Sequence, residues 1–427
     1  MEAILAAPAL AKILGILLAI LLVMRAAKSM ALGLFVGSVL LGLWQCRGAE
    51  DIIGIAWGRL ASIDMASLCA ALGFILLLSS HMARSGLLKE LVGGVRARFP
   101  KRFSVAALPA LIGFLPMPGG ALFSAPLVQD ADPEGDMDSI AKTRINYWFR
   151  HAWEPFWPLF PGVILAMGLS GIPVHVFVPM QAPIVLVALA VGWAFYLKAI
   201  PKREKQGTSA GLSLMPLVAP ILSLVLVYAL IQVFLPEASA LNAYIPMSAG
   251  AVAALLCLQA LRPLPAREWL ESLKKARIVE IALIVAGIRL YGAFVDAPLP
   301  GGGLMMDSMR AELDWLGVPP LALIAVLPFL AGLVTGIAMG YVGASFPVVL
   351  GLVGGAGAEP GVLLPAVMLA YTSGWAGMMI SPVHICAVVS AEYFKAPLIR
   401  SNGGIALPAL IVLAFAFALS RALGALL

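Results

Sequence analysis

Apolar residues run along this chain in blocks of about twenty, each closed by a short cluster of Lys, Arg, Pro or Gly. A bilayer core about 30 Å thick needs roughly 20 apolar residues per helix. The blocks therefore predict spans near 8–24, 29–45, 62–80, 145–170, 176–198, 213–235, 244–261, 278–296, 361–388 and 403–426. Two further blocks, 103–128 and 319–352, are interrupted by Gly and Pro at their centres. Lys12 lies inside the first span and must reach the near surface along its aliphatic stem.

The two interrupted blocks read alike. Leu108 to Val128 is LPALIGFLPMPGGALFSAPLV, and Leu327 to Val349 is LPFLAGLVTGIAMGYVGASFPVV. Pro109 and Gly113 correspond to Pro328 and Gly332; after a two-residue insertion, Ser124 and Pro126 correspond to Ser345 and Pro347. Further on, Trp153 and Pro161 pair with Trp375 and Pro382. Glycine- and proline-broken apolar segments at matching places in two halves point to a carrier's binding site.

Loop charge then sets topology. The 81–102 loop carries Arg84, Lys89, Arg96, Arg98, Lys101 and Arg102, and the 198–212 loop carries Lys198, Lys202, Arg203 and Lys205. The positive-inside rule places both in the cytoplasm. Three apolar segments lie between them, whereas two loops on one side require an even number of crossings. One segment must turn back, and 103–128 is the one whose centre, PMPGG, cannot continue a helix. The same parity holds between the 262–277 and 389–402 loops. There 319–352 turns back and leaves Asp307, Glu312 and Asp314 outside. Most of the 28 Lys and Arg then lie in cytoplasmic loops.

The expected fold is an all-α integral membrane protein of about ten spans and two re-entrant hairpins. It comprises two inverted repeats, each of three helices, a hairpin and two helices. The first repeat is 1–198, with scaffold helices in 8–80, hairpin 103–128 and broken helix 145–170. A cytoplasmic linker, 199–212, leads to the second repeat, 213–427, with scaffold helices in 213–296, hairpin 319–352 and broken helix 361–388.

Composition agrees. The chain is 62% hydrophobic and 12% charged, where soluble domains carry roughly 25% charged residues. The net charge of +6 lies in short loops, so it orients the chain in a bilayer and implies no nucleic-acid partner. Cys46, Cys69, Cys257 and Cys386 are scattered and read as packing residues, with no metal or disulfide role. The basic residues Arg25 and Lys28 follow the first apolar run, which predicts a first span rather than a cleaved signal peptide.

A re-entrant tip leaves backbone groups at membrane depth that only protein or a wet cavity can satisfy. Gly119, Gly120 and Ser124 in one tip, and Gly340, Gly343 and Ser345 in the other, are the expected substrate-binding residues. Helix N-termini at such breaks favour an anion. Pro155, Pro158 and Pro161 predict an interruption near 154–161, and Gly374, Gly377 and Pro382 predict its counterpart. Thr372, Ser373 and Ser381 there offer oxygen ligands. Glu154 and His151 are the expected ion-coupling residues, and Arg150 and Arg289 the possible anion contacts, because intramembrane charge marks pathways. Arg289 also has two carboxylates on its own helix to pair with, Glu280 and Asp296. His384 reads as a hydrogen-bonded structural histidine, and His81 and His175 as ordinary residues near loop ends. The acidic run 129–138 lacks the flanking helices and closing Glu of a calcium loop, and is expected to be solvated and metal-free.

At these hairpins and broken helices the chain resembles the ion transporter superfamily of secondary carriers, which includes gluconate permeases, dicarboxylate and citrate carriers, arsenite pumps and some sodium/proton antiporters. The run PALIGFLPMPGGALFSAPLV is most similar to an uncharacterised membrane family near the gluconate permeases. The resemblance implies a homodimer whose transport domain slides like an elevator against a fixed scaffold. Sodium-coupled dicarboxylate members carry Ser-Asn-Thr at each tip; Ser124 and Ser345 lack the neighbouring Asn and Thr, which weighs toward protons. The function expected is thus an ion-coupled transporter of a small organic anion, a sugar acid or hydroxycarboxylate. It would work in the inner (plasma) membrane with H+ or Na+ as coupling ion and no cofactor. A sodium/proton or metalloid carrier is the variant. An intramembrane serine hydrolase would need Ser345 and His384 in hydrogen-bond contact.

Overall fold

In a computed structural model of the chain, the described residues are 7–86, 95, 99–114, 120–201, 215–242, 244–275 and 277–426. All regular structure among them is helical. The first half contains α1 (Ala9–Ala27), α2 (Met30–Trp44), α3 (Ala49–Leu60), α4 (Ile63–Arg84), α5 (Lys101–Gly113), α6 (Ala121–Asp130), α7 (Ser139–His151), α8 (Pro161–Ser170) and α9 (Val174–Gly192). The second contains α10 (Met215–Phe234), α11 (Pro236–Leu241), α12 (Ile245–Leu261), α13 (Ala266–Lys275), α14 (Ile278–Asp296), α15 (Met305–Trp315), α16 (Pro320–Thr335), α17 (Ala338–Val353), α18 (Pro360–Ile380), α19 (Ile385–Tyr393) and α20 (Leu398–Leu426). Six helices among the described residues are long and apolar enough to cross a membrane. This is a membrane protein.

Local chemistry marks the helix ends. Ser29, Ser62 and Asp138 accept from the backbone N–H of Leu32, Met65 and Ala141 and so cap α2, α4 and α7. Proline occupies the first turn of α8, α16 and α18, where its missing N–H costs nothing. The cap of α1 comes from far along the chain: Glu312 on α15 accepts from Ala9 N (2.6 Å) and Leu10 N (2.8 Å). That carboxylate, expected in an outer loop, therefore closes the first span.

The centre of the first hairpin, 115–119, and most of the 199–212 linker lie outside the described residues. The second hairpin turns at Gly336 and Ile337; Gly336 has φ of +64°, which a β-carbon would disfavour. The α15–α16 junction bends by 111°. The segment 145–170 breaks between His151 and Pro161, as its prolines predict. In 361–388, however, α18 runs unbroken through Gly374 and Gly377 and stops only at Ile380. Those glycines serve packing instead.

Helix pairings recur between the halves. α5 packs on α7 as α16 packs on α18, and α2 packs on α14 as α12 packs on α4. The second arm of each hairpin lies against the broken helix of the other half: α6 on α19, and α17 on α8. The matched glycines explain the first of these contacts. A Cβ at Gly113 would overlap the Arg150 carbonyl, and one at Gly332 the Gly374 carbonyl. Small residues let helix backbones approach in this way. Gly332→Ala is expected to lower stability by about 1–3 kcal/mol, read as a fall in apparent melting temperature in detergent. Gly403→Ala, which meets nothing within 4 Å, is the control and should change little.

Candidate functional site

The breaks and the second hairpin tip meet around two histidines. α7 ends at His151, α18 ends at Ile380, and His384 sits at the N-terminus of α19. His151 Nε2 and His384 Nε2 face each other at 3.1 Å. On their far sides, His151 Nδ1 lies 2.7 Å from Glu154 Oε2, and His384 Nδ1 lies 2.5 Å from the carbonyl of Gly336 at the hairpin turn. Cys386 Sγ completes the group, its ligand atom and one from each histidine lying within 4.8 Å of one another. All four side chains are buried.

Interrupting a helix at depth orphans carbonyls, and aromatic donors satisfy them here. Trp375 Nε1 donates to His151 O (3.0 Å), Trp157 Nε1 to Phe114 O (3.0 Å), and Tyr147 Oη to Met378 O and Met379 O (3.2 Å each). Asn146 Nδ2 donates to Ser390 Oγ (2.9 Å) and Ala121 O (3.3 Å), tying α7 to α19 and α6. Arg150 is buried, with its guanidinium against Gly120, where a Cβ would overlap it. Gly120 is the N-cap of α6, which has no side-chain cap.

The expected binding residues divide. Gly119 lies outside the described residues. Gly120, Arg150, His151 and Glu154 come together, and His384, hydrogen-bonded as expected, lies against His151. The hydroxyls do not. Ser345 Oγ donates to Tyr341 O (2.6 Å), Thr372 Oγ1 to Met368 O (2.9 Å), and Ser124 Oγ lies 3.4 Å from Ala121 O. A buried hydroxyl on an apolar helix turns back to its own carbonyls, so these three are expended within their helices. Ser381 Oγ donates to Leu333 O (2.7 Å). Ser373 Oγ is buried with no hydrogen-bond partner among the described residues. Gly340 abuts Thr335 across the hairpin, and Gly343 accommodates Ile288 of α14, both close-packing roles.

Arg289 stands apart from this cluster. Its Nη2 donates to Tyr244 Oη (3.2 Å), while Glu280, one of its expected partners, pairs with Arg277. The hydrolase arrangement is not formed: His384 faces Gly336 and His151, and Ser345 faces Tyr341.

Cys386, read from the sequence as a packing residue, is buried and lies beside both histidines. Its local signal was His384-Ile385-Cys386 directly after the helix-ending Pro382; its other partner, His151, is remote in sequence. The acidic run also departs from the expected solvated loop. Asp132 is buried, and with Glu134 and Asp136 it surrounds the ammonium of Lys101. Lys101 Nζ is 2.9 Å from Glu134 Oε2 and 2.8 Å from Asp136 Oδ2, Lys142 Nζ lies 3.0 Å from Asp132 Oδ2, and the Lys101–Asp132 pair closes the set. A lysine occupies the place that a cation would take in that loop.

The fold is one known in membrane transport. The crystal structure of the Alcanivorax borkumensis YdaH transporter matches with a TM-score of 0.54, covering 88% of this chain and 86% of that one at 13% identity. At that identity the likeness establishes shared architecture. The chain belongs to the family described as protein of unknown function DUF401, whose profile matches residues 9–421. No curated protein matches it.

Proposed function

We propose that the protein is an ion-coupled secondary carrier of small organic anions, sugar acids or hydroxycarboxylates, acting as a homodimer in the inner membrane. In this reading 1–198 and 213–427 are inverted repeats joined by 199–212. Helices in 8–80 and 213–296 form the scaffold, and both hairpins with both broken helices move as an elevator. The observation that carries the proposal is the burial of Arg150, His151, Glu154 and His384 where the hairpins meet the helix breaks. Charge at such depth is costly and marks a solute or ion path. The crosswise packing of α6 on α19 and α17 on α8 supports the repeat, since one pair is the other with the halves exchanged. The Arg150 guanidinium at the uncapped N-terminus of α6 combines two sources of positive potential suited to an anion. The coupling ion, a proton or sodium, is assigned to Glu154 and His151.

The test is uptake into proteoliposomes of a panel of sugar acids, hydroxycarboxylates and dicarboxylates, with proton and sodium gradients imposed separately. Saturable accumulation of one class under the proton gradient, abolished by an uncoupler and weakened in Glu154→Gln, is the expected result. Accumulation of sodium or a metalloid, with no carboxylate moved under either gradient, would overturn the anion assignment.

A further inference from the structure

We infer that His151, His384 and Cys386 form a binding site for a thiophilic cation of the Zn2+ type. The inference goes beyond the transport reading and does not depend on it.

Gly336 O can only accept, so the His384 Nδ1 facing it carries the proton. Glu154 Oε2, 2.7 Å from His151 Nδ1, orients the other ring in the same way. The two Nε2 atoms then face each other at 3.1 Å, with Cys386 Sγ close by, so that one cation can reach all three ligand atoms. Two imidazole nitrogens at about 2.0–2.1 Å from a tetrahedral zinc are about 3.3 Å apart, so the pair already stands at nearly that separation.

The remaining features fit. Metal-bound histidines typically donate their other N–H to a carboxylate or a backbone carbonyl. Glu154 does this for His151, and Gly336 for His384. Cys386 supplies a thiolate, which with two imidazoles selects zinc-like ions over hard, oxygen-seeking ones. On binding, the thiol proton leaves to solvent and sulfur forms the bond to the metal, whose charge is thereby reduced by one. Three protein ligands leave one coordination position open for water or a solute. Because the ligands come from both broken helices, and His384 also holds the hairpin turn, an occupied site ties these elements together.

The experiment uses the purified full-length chain in lipid nanodiscs, titrated with Cd2+ as a spectroscopic stand-in and with Zn2+ under equilibrium dialysis. The expected result is one ion per chain and a cadmium–thiolate charge-transfer band. The band should persist in the Cys46→Ser/Cys69→Ser/Cys257→Ser variant, whose remaining thiol is Cys386, and vanish in Cys386→Ser. Glu154→Gln should keep the band while weakening affinity about tenfold or more. A missing band in the triple variant, or a band retained in Cys386→Ser, overturns the site. Binding is read at equilibrium without a gradient. A chain that moves no carboxylate can still pass this test, and a working carrier can still fail it.

Discussion

Lys101→Met lowers the stability of the protein by roughly 3–5 kcal/mol, read as the largest loss of melting temperature among single loop substitutions. The ammonium is fully enclosed by Asp132, Glu134 and Asp136, and Asp132 is itself sequestered. Removing the lysine leaves a buried carboxylate whose partners among the described residues are Lys142 and the backbone N–H groups of Asp136 and Met137. The Lys101→Met/Asp132→Asn variant removes both buried charges and recovers much of the loss. Equal damage in the single and double variants would refute the account. The pH dependence has a definite sign. Burial alone would raise the pKa of Asp132, but the bonds from Lys101, Lys142 and Met137 N–H hold it below its ordinary 3.8. Its contribution is therefore present above the unfolded value and lost as pH falls through the folded one. For Lys101, burial alone would lower the pKa, and the three carboxylates reverse that and raise it above 10.5. Its contribution is complete below 10.5 and fades only as pH rises through the higher folded value. In Lys101→Met the acid-dependent part of the stability that Asp132 contributes should shrink, because without that partner its folded pKa moves back up toward the unfolded value and less is left to lose as pH falls.

Much of this architecture is legible in the chain because membrane helices are written in block length and breakers. The 103–128 and 319–352 blocks, and the interruption between His151 and Pro161, follow from where Pro and Gly fall. Legibility fails where the signal is neither apolar nor local. The short helices α3, α13 and α15 are too polar or too short to register as spans, yet α15 supplies the Glu312 cap on α1. Gly374 and Gly377 read as a break because glycine weakens isolated helices; here Tyr341 packs against one, and the Phe329 carbonyl meets the other. Buried helical hydroxyls such as Ser345 look like ligands in sequence, but their own helix offers a nearer acceptor. Lys101 and Asp132 lie at the two ends of the α5–α6 hairpin, and His151 and Cys386 in different halves of the molecule, so local spacing announces neither of these pairings.

On the proposed carrier reading, Arg150→Gln raises the apparent KM for the anion by roughly a hundredfold. An arginine that served only to hold the hairpin would behave otherwise: its removal would lower stability by several kcal/mol with KM unchanged. The two roles therefore separate cleanly when uptake and melting temperature are measured on the same preparation. Lys at this position keeps the charge but not the planar fork, so Arg150→Lys should restore part of the affinity without full recovery. Gly120→Ala provides an independent check, because its methyl group would displace the guanidinium from the start of α6 while leaving the charge in the chain. It should raise KM as Arg150→Gln does. A fall in melting temperature with KM unchanged, in either variant, would reassign Arg150 to the scaffold of the hairpin rather than to the path of the anion.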